Sequence, residues 1–280
     1  MNQVIACIDG VGESAESICD AASWACLRLD APLKLLHVLD KSQYPTETDL
    51  TGSIGLGARE ALLEELAALD EQRGKLAREQ GRLMLEAARD RAVEDGISEP
   101  QTLQRHGDLV ETLTELEADT RLLVFGRGGR DGQALGHQVE AVIRALHRPM
   151  LVLPDEFAPP TRFLIAYDGS PTARKAVEMV VRSPLLRGIP CDLLIVGPST
   201  HDVKLELESA RTQLESAGFE VNAEILAGEV EDTLLNEVDR RSAEMLVMGA
   251  YGHSRIRQML VGSTTTNLIR QTRVPLLLLR

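Results

Sequence analysis

The stretch MGAYGHSRIRQMLVGST, residues 248–264, holds the residue types and spacing in this chain best suited to chemistry. Gly249 closes an apolar run, Gly252 follows three residues later, and Gly262 stands directly before Ser263 and Thr264. A glycine at the carboxyl end of a strand lets the backbone turn through φ > 0 and lets a ligand approach with no Cβ in its way. The segment STTTNLIRQT then reads as a helix that opens at Ser263. The unpaired amides of its first turn and the positive end of its dipole make a phosphate-sized anion site. The hydroxyls of Ser263 and Thr264 add two donors. His253, Arg255 and Arg257 lie between the glycines and either face phosphate or sit as solvated loop charges. Taken singly, each glycine is a turn residue and Ser263 an ordinary N-cap. Taken together, with glycine near 7% of residues and Ser or Thr about one in eight, on the order of 0.01 chance matches to the spacing are expected.

Other chemistries find no support. The chain has no G-x4-G-K-[ST] segment, which argues against a P-loop ATPase. Neither does it have the Ser-Gly-Gly-x-Asp-Ser loop of ATP pyrophosphatases. His37, His106, His137, His147 and His201 show no metal-ligand spacing, and His37 inside LLHVLD reads as a strand residue with its ring satisfied locally. A net charge of -13 over 280 residues, with 3% aromatics, repels nucleic acid and acidic membranes and leaves little to stack on bases. No apolar run reaches about 18 residues and the amino terminus lacks a signal pattern, so a cytoplasmic protein is expected. Cys7, Cys19, Cys26 and Cys191 sit in or near apolar runs and read as reduced core residues.

The elements that position the glycine stretch repeat. NQVIACIDGVGESAESICDAA (2–22) aligns with TRFLIAYDGSPTARKAVEMVV (161–181), so that Asp9-Gly10 matches Asp168-Gly169. LKLLHVLD (33–40) parallels CDLLIVGP (191–198), and RPMLVLP (148–154) parallels VPLLLLR (274–280). Two domains are expected, 1–155 and 161–280, with a proline-rich seam at 154–161. Short apolar runs alternating with helical patterns predict an α/β fold: two tandem doubly wound, Rossmann-like, parallel five-stranded sheet domains related by pseudo-twofold symmetry. In the second copy strands are expected near 163–168, 192–197, 221–227, 244–249 and 275–279. Helices are expected near 172–186, 203–217, 230–241 and 263–272. The first copy adds residues 55–96, whose Leu62, Leu66, Leu69, Leu76, Leu83 and Ala87 follow a helical period with Gly74 and Gly81 as weak points. This insertion is either a coiled-coil arm or a helix lying along the sheet or the neighbouring copy.

GAYGHSRIRQMLVGS resembles the G-x2-G-x9-G-[ST] motif of nucleotide-binding universal stress proteins, and the flanking VMGAYGHS and VPLLLL resemble that family as well. The likeness covers nearly all of the chain as two tandem universal stress domains. It implies ATP binding, with Mg2+, in a cytoplasmic stress-response sensor or switch. The motif residues Gly249, Gly252, His253, Gly262, Ser263 and Thr264 would meet the phosphates. Ala166, Tyr167, Asp168 and Val196 would line the adenosine pocket. Asp168 equally suits a helix cap in DGSPT, with Pro171 in the first helical turn. The first copy departs from the motif: Gly126 and Gly129 remain, but Val139-Glu140 stand where Gly262-Ser263 stand in the second, and Gly136-His137 comes three residues early. The second domain is therefore expected to bind ATP and the first weakly or not at all. No general base is identifiable, so slow ATP hydrolysis is the most catalysis expected. The resemblance also implies pairing of the last strand with PMLVLP at 149–154, giving a tandem pair able to dimerise again. The alternative function is an interaction scaffold, or a binder of another ligand in the first domain.

Overall fold

The computed structural model describes residues 2–8, 13–40, 56–127, 137–249 and 263–280. In the first half the elements are β1 (Gln3–Cys7), α1 (Glu13–Leu29), β2 (Leu33–Asp40), α2 (Leu56–Glu94), β3 (Gln101–Gly107), α3 (Leu109–Leu116), β4 (Thr120–Gly126), α4 (His137–Ala145) and β5 (Met150–Leu153). The second half has β6 (Phe163–Ala166), α5 (Pro171–Arg182), β7 (Cys191–Val196), α6 (His201–Ser216), β8 (Val221–Leu226), α7 (Val230–Arg240), β9 (Met245–Gly249), α8 (Ser263–Gln271) and β10 (Leu276–Leu279). Asp9, Gly10, Gly129, Gly136, Gly252, His253, Arg255, Arg257 and Gly262 lie outside the described residues.

All ten strands form one sheet in the order β3-β2-β1-β4-β5-β10-β9-β6-β7-β8. Each half contributes five strands with the same doubly wound order, and within each half every pairing is parallel. The halves meet antiparallel at β5 and β10, with Leu276 opposite Val152, Leu277 opposite Leu151 and Leu278 opposite Met150. This is the strand pairing that the family resemblance implied. An all-leucine strand left at an edge would template aggregation, and pairing removes that edge. The true edges fall on β3 and β8, neither of which has a fully buried residue.

Period-two alternation sends Val4 and Ala6 of β1 to one face and Ile5 and Cys7 to the other. Core residues from α1, α2, α5 and α6 cover the first face, and those from α3, α4, α7 and α8 cover the second. All four cysteines are buried, as read from sequence. No helix among the described residues is long and apolar enough to cross a membrane.

Several boundaries shift from the sequence reading. Helix α5 ends at Arg182, four residues before the expected 186, because Ser183 precedes Pro184 and takes extended backbone, φ -88 and ψ 136. Strand β6 ends at Ala166 because the Asp168-Gly169 turn begins immediately after it. Helix α2 runs unbroken through Gly74 and Gly81. A Cβ at Gly81 would overlap the side chains of Gln104 and His37, so this glycine is where the helix crosses β2 and β3 closely. The His37 ring is satisfied there, Nδ1 donating to the Ile8 carbonyl at 2.8 Å. The buried face of α2 is Ala77, Gly81, Met84, Leu85, Ala88 and Ala92; of the periodic leucines, Leu69, Leu76 and Leu83 are exposed.

Two arginines tie one half to the other. Arg127 Nη1, just past β4, donates to the carbonyls of Thr272 at 2.7 Å and Arg270 at 3.1 Å at the end of α8. Arg280 Nη1, just past β10, donates to the Ile143 carbonyl at 3.1 Å at the end of α4. Cations at helix carboxyl ends satisfy orphan carbonyls and complement the dipole. The connection from 154 to 162 crosses the first face, where Phe157 packs on Trp24 with ring centroids 5.7 Å apart.

A buried ionic cluster closes the amino edge of the second half, remote from the carboxyl ends of its strands. Asp192, whose side chain is 1% exposed, accepts from Arg241 Nη1 at 2.8 Å, Asn222 Nδ2 at 2.9 Å and Arg162 Nη1 at 3.1 Å. Arg241 also donates through Nε to Glu237 at 2.6 Å. Burial alone would raise the Asp192 carboxyl, but donation from Arg241, Asn222 and Arg162 outweighs it and holds the group below the usual carboxylate range. Donation from Arg240, against the opposing effect of burial and with Arg241 assisting, lowers Glu237 to about 2. Removing one partner of such a cluster strands a buried charge. Arg241→Met is expected to lower unfolding free energy by about 3–5 kcal/mol. Because both carboxyls are depressed in the folded state, their stabilisation is present above about pH 4 and fades as pH falls towards about 2. Urea denaturation across pH 2–7 is expected to show a steeper acid loss in the parent chain than in the variant.

Candidate functional site

In each half the crossover direction reverses once. In the second half β6 leads through α5 to β7 on one side, while α7 carries the chain back to β9 on the other. Ligands of doubly wound sheets sit in the crevice outside the carboxyl ends of the strands at such a reversal. The last pair across this crevice is Ala166 with Met248. Tyr167 and Asp168 leave from one rim and Gly249 ends the other. Val196 closes β7, the next strand beside β6. Ala166 and Val196 are half-buried and pack on the same core layer as Leu268 and Ile269 of α8.

Helix α8 begins at Ser263 on this face, and its first turn carries no acidic residue. Its backbone lies within the described residues, whereas the side chains of Ser263 and Thr264 do not. An anion is the chemistry that this helix end fits, through its free amides and dipole. Asn267, one turn in, donates through Nδ2 to Glu231 of α7 at 2.9 Å and anchors the helix beside its neighbour.

Asp168, Gly169 and Ser170 form a tight turn. Asp168 Oδ1 accepts from the Ser170 amide at 2.9 Å, Gly169 takes φ +71, and Ser170 Oγ accepts from the Ala173 amide at 3.2 Å. Ser170 is thus the N-cap of α5 and Pro171 begins the helix, so capping falls two residues beyond Asp168. The Asp168 carboxylate is exposed, and a carboxylate has acceptor sites beyond the one its turn uses, enough to take a pair of hydroxyls.

Tyr167 turns the other way. Its side chain is buried in the layer beneath α5 and α6, and its hydroxyl donates to Glu206 Oε2 at 3.4 Å. Glu206 also accepts a bidentate pair from Arg174, 3.0 Å from Nε and 2.6 Å from Nη2. Burial first, and then the Glu206 charge, raise the phenol above its ordinary range. What Tyr167 offers the crevice is main chain. The Arg174–Glu206 bridge, which locks α5 to α6 behind the site, had no sequence signal: Glu206 is one of several acids in α6.

Gly249 corrects the sequence argument. Its backbone is not in the left-handed region; the constraint is space. A Cβ there would stand 3.0 Å from the Thr172 carbonyl carbon and oxygen and 3.1 Å from the Ala173 amide nitrogen, and backbone cannot swing aside. The glycine therefore allows the first turn of α5 to press against the end of β9. Gly126 has the same place in the first half, where a Cβ would meet Ile18 Cδ1 at 3.1 Å and Ser14 Oγ at 3.2 Å.

The first half differs at the helix. Val139 is buried in the core and Glu140 lies in the first turn of α4, held by Arg144 at 2.6 Å. Where the second half starts its helix after a glycine, the first has already begun one, and a carboxylate occupies the turn that an anion would need.

A doubly wound α/β sheet with a helix starting at the strand reversal defines the α/β class of this protein. The sequence profile of the Universal stress protein family matches residues 1–154 and 196–280, and the chain belongs to that family. It is 33% identical over 288 residues to universal stress protein Slr1230 of Synechocystis sp., with all of both chains covered. Among solved structures, a universal stress protein from Archaeoglobus fulgidus overlays at TM-score 0.66 with 18% identity, covering 100% of this chain and 98% of that one. A universal stress protein from Pseudomonas aeruginosa overlays at TM-score 0.62 with 16% identity, covering 99% and 92%. Both share the fold across the full length.

Gly249→Ala is expected to destabilise the protein by about 1–3 kcal/mol, read as a lower urea midpoint in the absence of any ligand. An unchanged midpoint would show that α5 yields to the added methyl.

Proposed function

We propose that this chain is a tandem universal stress protein of the cytoplasm that binds ATP with Mg2+ in its second unit, residues 161–280, as a sensor or switch. The first unit, residues 1–155, binds nucleotide weakly or not at all. One observation carries the reading: Ala166, Asp168, Val196 and Gly249 converge on the strand reversal of the half whose α8 starts with an acid-free turn. In this reading the α8 amides, with Ser263 and Thr264, hold the phosphates together with Gly252, His253 and Gly262. Asp168 accepts the ribose hydroxyls, and Ala166, Val196 and the Tyr167 main chain border the base. The electrostatic contrast with Glu140 in α4 supports the asymmetry between the units. Binding favours one arrangement of the 249–262 segment, and the difference in affinity between arrangements is the signal. No residue acts as a general base, so turnover is at most slow hydrolysis.

The test is to denature freshly purified protein and identify what is released. An adenine nucleotide near one per chain is expected. Gly262→Asp is expected to reduce it at least tenfold, because it puts a carboxylate at the phosphate position, and Ser263→Ala to reduce it less. Equal content in all three proteins rejects the assignment.

A further inference from the structure

Helix α2 is 39 residues long, about 58 Å, roughly twice the span of the strands it crosses. Among its described side chains full burial begins at Ala77; residues 68, 69, 71–73, 75 and 76 are exposed, and Leu66 and Gly74 are half-buried. This part of the helix therefore lies mostly in solvent. Along one side of it Leu69 is 45% exposed, Leu76 64% and Leu83 53%. These three follow one another at intervals of seven, and Leu62 continues the interval towards the start of the helix. A second row, also spaced by seven, runs beside them: Leu66, Arg73, Gln80 and Ala87. Leucine every seven residues beside a mixed row is the a/d pattern of a coiled-coil seam. Leu69, Leu76 and Leu83 do not face the chain's own core, which takes Met84, Leu85 and Ala88 from the same helix.

We propose that this stripe is a self-association surface, on which α2 of a second copy of this chain packs antiparallel. Its seven-residue period is matched by its own copy, as a twofold contact requires. Charge selects the direction. A parallel pair would set Arg73 against the second copy's Arg73 within the seam. The antiparallel pair sets Leu76 opposite the second copy's Arg73, Leu69 opposite its Gln80 and Leu83 opposite its Leu66, and Arg73 then borders Glu79 of the other helix. The acids along the rim do not repel the copy strongly, because Arg82 bridges Glu79 at 2.7 Å and also pairs with Glu86. The helix dipoles favour the same direction. The overlap of residues 62–87 is about 39 Å long and buries on the order of 1,000 Å² in total, the lower bound for a specific interface. The dimer is accordingly micromolar and forms and separates with concentration.

Sedimentation of the full chain from about 1 to 100 µM reads this directly: the mass is expected to rise from 30.6 kDa towards twice that value. Leu69→Glu with Leu76→Glu is expected to raise the dissociation constant at least tenfold. Both positions are exposed, so the urea midpoint of the monomer should be unchanged. A chain that stays monomeric at 100 µM, or a dimer that survives the double substitution, overturns the proposal. Direction is read by mixing an Arg73→Cys chain with a Leu76→Cys chain under mild oxidation, since the four native cysteines are buried. A disulfide between the two different chains supports the antiparallel pair, and one between two Leu76→Cys chains overturns it.

Discussion

Four residues of β5 against four of β10 make the contact on which this architecture depends. Each half ends in a strand too apolar to be left open, and the antiparallel ladder between them satisfies both at once. The consequence reaches past the seam. A continuous ten-stranded sheet requires helices to cover each face across both halves, so the two core layers are shared rather than separate. It also places the end of each half's last helix within reach of an arginine from the other, Arg127 for α8 and Arg280 for α4. The helix that opens at the candidate anion site in the second half is therefore held at its far end by the first.

The two ends of the sheet do different work. At the amino edge of the second half, Asp192 and Arg241 are charges removed from water and satisfied by several partners, an arrangement that specifies packing and contributes no open surface. At the carboxyl edge the groups are left with capacity: an exposed carboxylate at Asp168 and the amides of a helix that has no acid in its first turn. The same fold in the first half fills that capacity with Val139 and Glu140. One duplicated scaffold thus starts the corresponding helix without an acid in one copy and with Glu140 in the other.

Most of the fold was legible because duplication stated it twice. Apolar runs and their order pointed to the strands, while the central pairing followed from the family resemblance rather than from any local pattern. What escaped was tertiary. Gly249 reads as freedom of backbone, yet its reason is the nearness of α5, which no local pattern reveals. Tyr167 sits in the same tripeptide as Ala166 and Asp168, but strand alternation sends its ring to the opposite face. The period of α2 was visible, but which side of it meets the sheet was not. Small residues, Ala77, Gly81 and Ala88, face the sheet because the helix lies too close for leucine there. The ion cluster around Asp192 joins residues from four separate segments and leaves no mark in spacing.

The short passage from β5 to β6, pinned midway by Phe157 on Trp24, keeps the halves at a high effective concentration for each other. Pairing within the chain therefore needs no contribution from a bound ligand and no abundance of partners. The first half can therefore depart from the glycine spacing, as it does at Val139 and Glu140, without the second losing the strand, the core layer or the helix cap that it borrows.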